Sequence, residues 1–146
     1  MEIIYYQKQD GHVPVEEYLE QQYEVLESDS KKVRNDKMKR LAKLEAVIKN
    51  AAQNGGVAGG MFSAPLNGYA FQELRIREGS QNRLVRILYF SYSRKKLILL
   101  NAYDKPDLYE KGGKKKIDKE INDVHRVTNQ YYKDFLQNPN QYKKYE

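Results

Sequence analysis

The sequence predicts a two-layer α+β domain, β-α-α-β-β-β-α, with helices packed on one face of a twisted, mainly antiparallel sheet. Three observations carry that expectation. Two stretches with helical apolar spacing lie near the N-terminus, three β-prone runs with short connectors follow, and a third helical stripe comes last. A chain of 146 residues is the size of one domain, read as 1–146.

Each element has a local cause. Glu2-Ile3-Ile4-Tyr5-Tyr6 reads as a strand closed by Gln9-Asp10-Gly11, and it is expected at a sheet edge. Pro14 can open a helix, and Val15, Tyr18, Leu19, Gln22 and Leu26 extend it over 14–27. Ser28-Asp29-Ser30 breaks that helix and can cap the next. This second helix, 31–53, carries the stripe Met38, Leu41, Leu44, Ile48 and Ala51. Asn54-Gly55-Gly56 ends it, and the Gly-, Ala- and Ser-rich stretch through Gly68 reads as a loop. Tyr69–Arg77 alternates, whereas Leu84–Tyr92 and Lys96–Ala102 are strongly apolar and β-prone, with hairpin-length connectors between them. Ile117, Ile121, Val124, Thr128, Tyr131 and Phe135 mark a last helix over 114–136, stopped by Asn138-Pro139-Asn140. The tail 141–146 is expected to fray.

Charge narrows the function classes. Residues 1–30 hold one Lys and eight Asp or Glu, a net of −7, and subtracting that from the chain's +6 leaves +13 on residues 31–146. That excess favours contact with a polyanion, with a solvated surface as the alternative. The chain has 13 tyrosines, which suit base stacking, and no tryptophan. No cysteine is present, which removes disulfides and thiolate chemistry and fits a cytoplasmic location. No apolar run approaches a membrane span and no signal-peptide pattern opens the chain, so no membrane partner is expected. His12 and His125 lie far apart and are read as structural or solvated, and no zinc or other metal site is expected from them. The acidic run Glu16, Glu17, Glu20, Glu24 and Glu27 is read as a solvated helix face.

The sharpest feature is arginine inside strands. Alternation places Phe71, Glu73, Arg75 and Arg77 on one face, and Gln72, Leu74 and Ile76 on the other. The second set is the better core, so Arg75 and Arg77 should project from an open face. Arg86 sits within Leu84-Val85-Arg86-Ile87-Leu88, and a buried unpaired charge is costly. Arg86 is therefore expected on the open face too, with Tyr103 and Lys105 closing the depression from just past the third strand. Three guanidiniums in one hollow suit a phosphodiester, whose transfer builds negative charge on the equatorial oxygens. The competing reading makes them cross-strand ion-pair partners of Glu73 and Glu78. The second helix adds Lys37, Arg40 and Lys43 among its basic residues, and Lys114 belongs to the cluster 111–116; all could meet RNA phosphates or simply face water.

On these residues the chain resembles a family. Phe71-Gln72-Glu73-Leu74-Arg75-Ile76-Arg77 resembles the "Y-E-L-R" strand of RelE/HigB-type toxins of type II toxin–antitoxin systems. Val85-Arg86-Ile87-Leu88-Tyr89-Phe90 resembles their "Y-R-I-L-Y-F" strand, and Leu99–Lys105 the "L-L-x-x-Y/F-x-K" that ends the next one. Ser63-Ala64-Pro65-Leu66 resembles the segment before the first motif, and order and spacing match over residues 62–125. The resemblance implies a RelE-like fold and a ribosome-dependent mRNA endoribonuclease that inhibits translation. Attack would come from the RNA's own 2′-hydroxyl, without metal or cofactor. It implies the ribosome and mRNA as partners, and a cognate antitoxin of the HigA-like helix-turn-helix kind. By the same resemblance Arg86 matches the arginine on the scissile phosphate, Arg75 and Arg77 the basic pair, and Tyr103 and Lys105 the terminal aromatic and basic positions. Tyr109 stands nearest to a further tyrosine of the family.

The chain departs from the pattern where a histidine is common, since Asn101-Ala102-Tyr103-Asp104 holds none, and Lys105 is followed by Pro106. Arginine is a poor proton acceptor, which leaves Tyr103, Tyr109, Asp104 or a lysine to move protons, or orientation alone. Two rival readings therefore stand beside the nuclease: a ParE-like inhibitor of DNA gyrase, and an RNA-binding module that has lost toxicity.

Overall fold

A computed structural model describes residues 1–57, 62–78, 83–105 and 113–145. The chain runs β1 (Glu2–Tyr6), α1 (Pro14–Tyr23), α2 (Lys31–Gln53), β2 (Ser63–Pro65), β3 (Gln72–Glu78), β4 (Arg83–Tyr92), β5 (Lys96–Asp104), α3 (Lys114–Gln137) and β6 (Tyr142–Lys144). All six strands belong to one open sheet in the order β2-β3-β4-β5-β1-β6. Strands β3, β4 and β5 are antiparallel neighbours, and β1 joins β5 in parallel, which makes the sheet mixed. The α+β class read from the sequence holds.

Sequence signals act locally as expected at several points. Pro14 is the first residue of α1. The Ser30 side chain caps α2 by accepting from Val33 N at 3.2 Å. The hairpin between β4 and β5 closes through Lys95 N donating to Tyr92 O at 3.1 Å. Ser93 and Arg94 there take φ of 54° and 58°, the mirror-image turn whose twist matches paired strands. Helix α1 stops at Tyr23, four residues before the predicted end. The chain that follows folds onto α2 instead: Lys37 Nζ donates to Glu24 O at 3.0 Å, and Asp29 Oδ2 accepts from Leu26 N at 2.8 Å and from Lys37 at 2.7 Å.

The helices do not share one face, which corrects the two-layer expectation. Leu44, Ile48 and Ala51 of α2 and Val15 and Leu19 of α1 pack with Leu74, Ile76, Val85, Ile87, Tyr89, Leu97 and Leu99. On the opposite face, Phe135, Tyr131 and Val124 of α3 pack with Phe71, Leu88, Phe90, Ile98 and Leu100. The reason lies in β4 and β5. Their near-continuous apolar runs are the pattern of strands covered on both faces, so one layer of helices could not satisfy them.

Two further expectations are corrected. Ser63–Pro65, read as loop, pairs with β3 as β2. The tail, read as frayed, forms β6 against β1, with the Tyr145 ring 5.3 Å from that of Tyr5 and Tyr145 N donating to Ile3 O at 3.3 Å. β1 consequently lies between β5 and β6 and is not an edge. Both misreadings concern three-residue segments, in which local propensity carries little information; β2 pairs with the next strand, whereas the partner of β6 lies at the other end of the chain.

One irregularity positions the functional face. Leu88 pairs with Asn101 and Tyr89 with Leu99, so Leu100 is an extra residue on β5. Such a bulge shifts the alternation by one. Before it Ile98 lies opposite Phe90, and after it Tyr103 lies opposite Arg86. Without the extra residue, Tyr103 would point to the helix-pair side.

Candidate functional site

The face covered by α3 is apolar only in part. Beyond Phe71, Leu88 and Leu100 it turns polar, and in one row across three strands Arg75 lies opposite Arg86, which lies opposite Tyr103. The neighbouring row is Glu73, Leu88 and Asn101. Directly opposed residues on one sheet face bring their side chains within contact range. Helix α3 is tied to this second row, where Asn101 Nδ2 donates to Thr128 Oγ1 at 3.1 Å and Thr128 Oγ1 donates to Val124 O at 2.8 Å.

Glu73 organises the cluster. Its Oε1 accepts from Arg75 Nε at 2.8 Å and lies 3.7 Å from Arg86 Nε. Glu73 and Arg86 are only 5% and 8% exposed, while the Arg75 side chain is 48% exposed. Arg77, one step further along the same face, is exposed. The centre is thus a buried carboxylate–guanidinium pair with two arginines reaching from it into solvent. Burial lowers the pKa of the Arg86 guanidinium, and Glu73 opposes that shift. Arg86 Nη1 also donates to Val85 O at 3.2 Å. Burial drives the Tyr103 phenol upward, helped by the neighbouring Glu73 carboxylate with which it is hydrogen-bonded, and against the pull of Arg86. Tyr103 accordingly keeps its proton at neutral pH.

His125 of α3 reaches the same place. Its ring lies 6.4 Å from Tyr103, 6.4 Å from Phe71 and 5.7 Å from Tyr69. Burial lowers the pKa of the imidazole, with the Glu73 charge pulling the other way. Its Nε2 is buried without a hydrogen-bond partner among the described residues.

The expected site residues fall into three groups. Arg75, Arg77, Arg86 and Tyr103 come to one sheet face. Arg86, expected in the open, is instead the buried member, and the partner that makes its burial tolerable is Glu73. Lys105 is exposed just past β5, its backbone N donating to Leu84 O at 2.8 Å. Lys114 is exposed at the start of α3, and Tyr109 lies outside the described residues. Lys37, Arg40 and Lys43 stand on α2, which packs on the opposite side of the sheet. There the Lys37 side chain is 16% exposed in its pair with Asp29, and Arg40 pairs with Asp36 at 3.0 Å and lies over the Tyr23 ring. Lys43 Nζ donates to Arg77 O at the end of β3. Asp104, one of the possible proton movers, also turns away, accepting from the Tyr18 hydroxyl of α1.

Sequence reasoning had Glu73 only in the competing reading, as an ion-pair partner of the arginines, which the structure shows for Arg75 and Arg86, and it missed His125 as a member of the site. Glu73 was visible in the alternation that grouped it with Arg75 and Arg77. His125 had no such signal, because its approach depends on where α3 lies. The described residues contain no group of three or more His, Asp or Glu placed to hold a metal ion, and no helix among them is long and apolar enough to cross a membrane. Chemically, the arrangement offers two solvent-reaching guanidiniums to an anion, backed by a carboxylate able to accept a proton and a phenol able to donate one. Neither the family models nor the curated proteins compared with this chain give a match.

Proposed function

We propose that this chain is a ribosome-dependent mRNA endoribonuclease of the RelE/HigB kind, the toxin of a toxin–antitoxin pair. The single observation that carries the reading is the cross-strand row Arg75–Arg86–Tyr103 with Glu73 set against it. Arg75 and Arg77 hold the scissile phosphate through forked hydrogen bonds. Arg86 fixes Glu73 from below and adds positive potential where charge builds in the transition state.

Glu73 takes the role of proton acceptor that Tyr103, Asp104 and the lysines fill less well. It receives the proton of the RNA 2′-hydroxyl as the 2′-oxygen bonds to phosphorus. The bond from phosphorus to the 5′-oxygen breaks, and that oxygen takes the Tyr103 proton while Tyr103 recovers one from Glu73. The products are a 2′,3′-cyclic phosphate and a 5′-hydroxyl, and the enzyme returns to its starting protonation. For RNA to enter, Arg75 must turn from Glu73 to the phosphate. Docking on the ribosome supplies the ordering that makes this exchange favourable. The ribosome, a translated message and a helix-turn-helix antitoxin are the partners proposed with this function, in the cytoplasm.

One observation favours a second reading, an RNA-binding module without cleavage: the Glu73 Oε1 that would take the 2′-hydroxyl proton is already engaged by Arg75 at 2.8 Å. Mapping 5′ ends on a translated message after induction separates the two. The nuclease reading expects new ends within the coding frame for the parent chain and none for Glu73→Gln or for the double variant Arg75→Ala, Arg77→Ala. RNA association without new ends would establish the second reading. Inhibition of gyrase supercoiling without RNA association would replace both.

A further inference from the structure

Next to the arginine row lies an aromatic cluster that the proposed chemistry leaves unused. Tyr69 stacks on Phe71 with ring centroids 5.0 Å apart and planes 26° from parallel. His125 meets both rings edge-on, and Tyr103 closes the group from β5. Phe71 is fully buried beneath it, whereas Tyr69 and His125 are partly exposed. Phe71 shares its sheet face with Glu73, Arg75 and Arg77, and Tyr103 belongs to both groups. A shelf of aromatic rings thus runs directly into a carboxylate–guanidinium centre. Stacking on such a shelf tolerates any base and adds affinity beyond phosphate contacts.

We infer that Tyr69 is a nucleobase-stacking residue, seating the base of a nucleotide adjacent to the one whose phosphate meets Arg75 and Arg77, with His125 wedged against it as a positioning residue. This rests on the reading of the arginine row as a phosphate site, and it adds what that reading lacks, a place for a base. The edge-on His125 contact with both rings is placed to hold Tyr69 on Phe71.

The test uses the full chain and dye-labelled pentanucleotides carrying 2′-deoxyribose at every position, which cannot be cut by 2′-hydroxyl attack. Binding is read by fluorescence anisotropy at low salt. Tyr69→Leu, which keeps apolar volume over Phe71, is expected to weaken binding about tenfold, and Tyr69→Phe to leave it within about twofold. An oligonucleotide lacking one base should weaken binding to the parent chain by a similar factor at one position only. It should then lose nothing more with Tyr69→Leu, as coupled partners do in a double-mutant cycle. Parent-like binding by Tyr69→Leu, while Arg75→Ala weakens it, would remove the stacking subsite and leave the phosphate site standing. Absence of binding by the folded parent chain, both free and with added ribosomes, would remove both.

Discussion

The two faces of the sheet are built on opposite terms. Under α1 and α2 the face is apolar from β3 to β1, with Leu74, Ile76, Val85, Ile87, Leu97 and Leu99 fully buried. Under α3 it is divided. Phe71, Leu88, Phe90, Ile98 and Leu100 take up α3, and the remainder carries Glu73, Arg75, Arg77, Arg86 and Tyr103 in and around a single ion-paired cluster. Two helices on one side anchor the strands firmly enough that the other side can give part of its area to charge. Stability and binding are thereby assigned to different sides of the same strands, and alternate residues of β3 serve each.

The largest effect should come from the apolar face. Ile87→Ala deletes fully buried methylenes beneath the helix pair and is expected to cost about 2–5 kcal/mol of stability, read as a lower urea midpoint. An equal loss from Arg75→Ala would break the contrast between the faces. Next comes the buried charge. Glu73→Leu leaves Arg86 without its carboxylate and is expected to cost about 3 kcal/mol, most of which Glu73→Leu combined with Arg86→Leu restores. Failure of the double variant to recover would mean that the pair is held by something other than mutual charge.

A smaller and sharper effect is expected from Arg77→Ala. As a solvent-reaching side chain, it should change stability by less than about 0.5 kcal/mol, yet lower RNA affinity and reduce the slope of affinity against salt by about one. A salt slope equal to the parent's would take Arg77 out of the phosphate site. The smallest effect concerns the two histidines, whose shifts have opposite signs. Burial lowers the folded pKa of His125 below its usual 6.5. Its contribution is therefore complete above that value and is lost as pH falls through it toward the folded value. His12 is raised by its bond to Glu17, so its contribution is present below 6.5 and fades as pH rises through its folded value. Melting profiles between pH 5 and pH 8, taken with His125→Gln and His12→Gln, should move in opposite directions at the acid end, and parallel shifts would show that one assignment is wrong.

Much of the fold was legible because the signals were local. Pro14, the Ser30 cap, the apolar stripe of α2 and the strand sequences of β3, β4 and β5 each act within a few residues. The site was legible in part for the same reason, since period-two alternation in β3 puts Arg75 and Arg77 together without knowledge of neighbours. What failed was non-local. β6 depends on Tyr142–Lys144 finding β1 across the whole chain, and the position of α3 depends on which sheet face still needs covering. The basic stripe of α2 was legible as charge but not as geometry, and the fold sends Lys37 and Arg40 to Asp29, Asp36 and Tyr23 on the far side from the arginine row.

By itself, then, the sequence determined the three helices and the strands β1, β3, β4 and β5, the strongly basic balance after residue 30, and the shared face of Arg75 and Arg77, because propensity, net charge and alternation are properties of neighbouring residues. Only the tertiary structure decided that Arg86 is buried with Glu73, that Tyr103 faces Arg86, and that His125 joins them. Those outcomes follow from the extra residue at Leu100, which reverses the alternation of β5, and from the docking of α3 on the second face of the sheet. Register and layer order are settled by how surfaces as a whole exclude water, a quantity that no single segment contains.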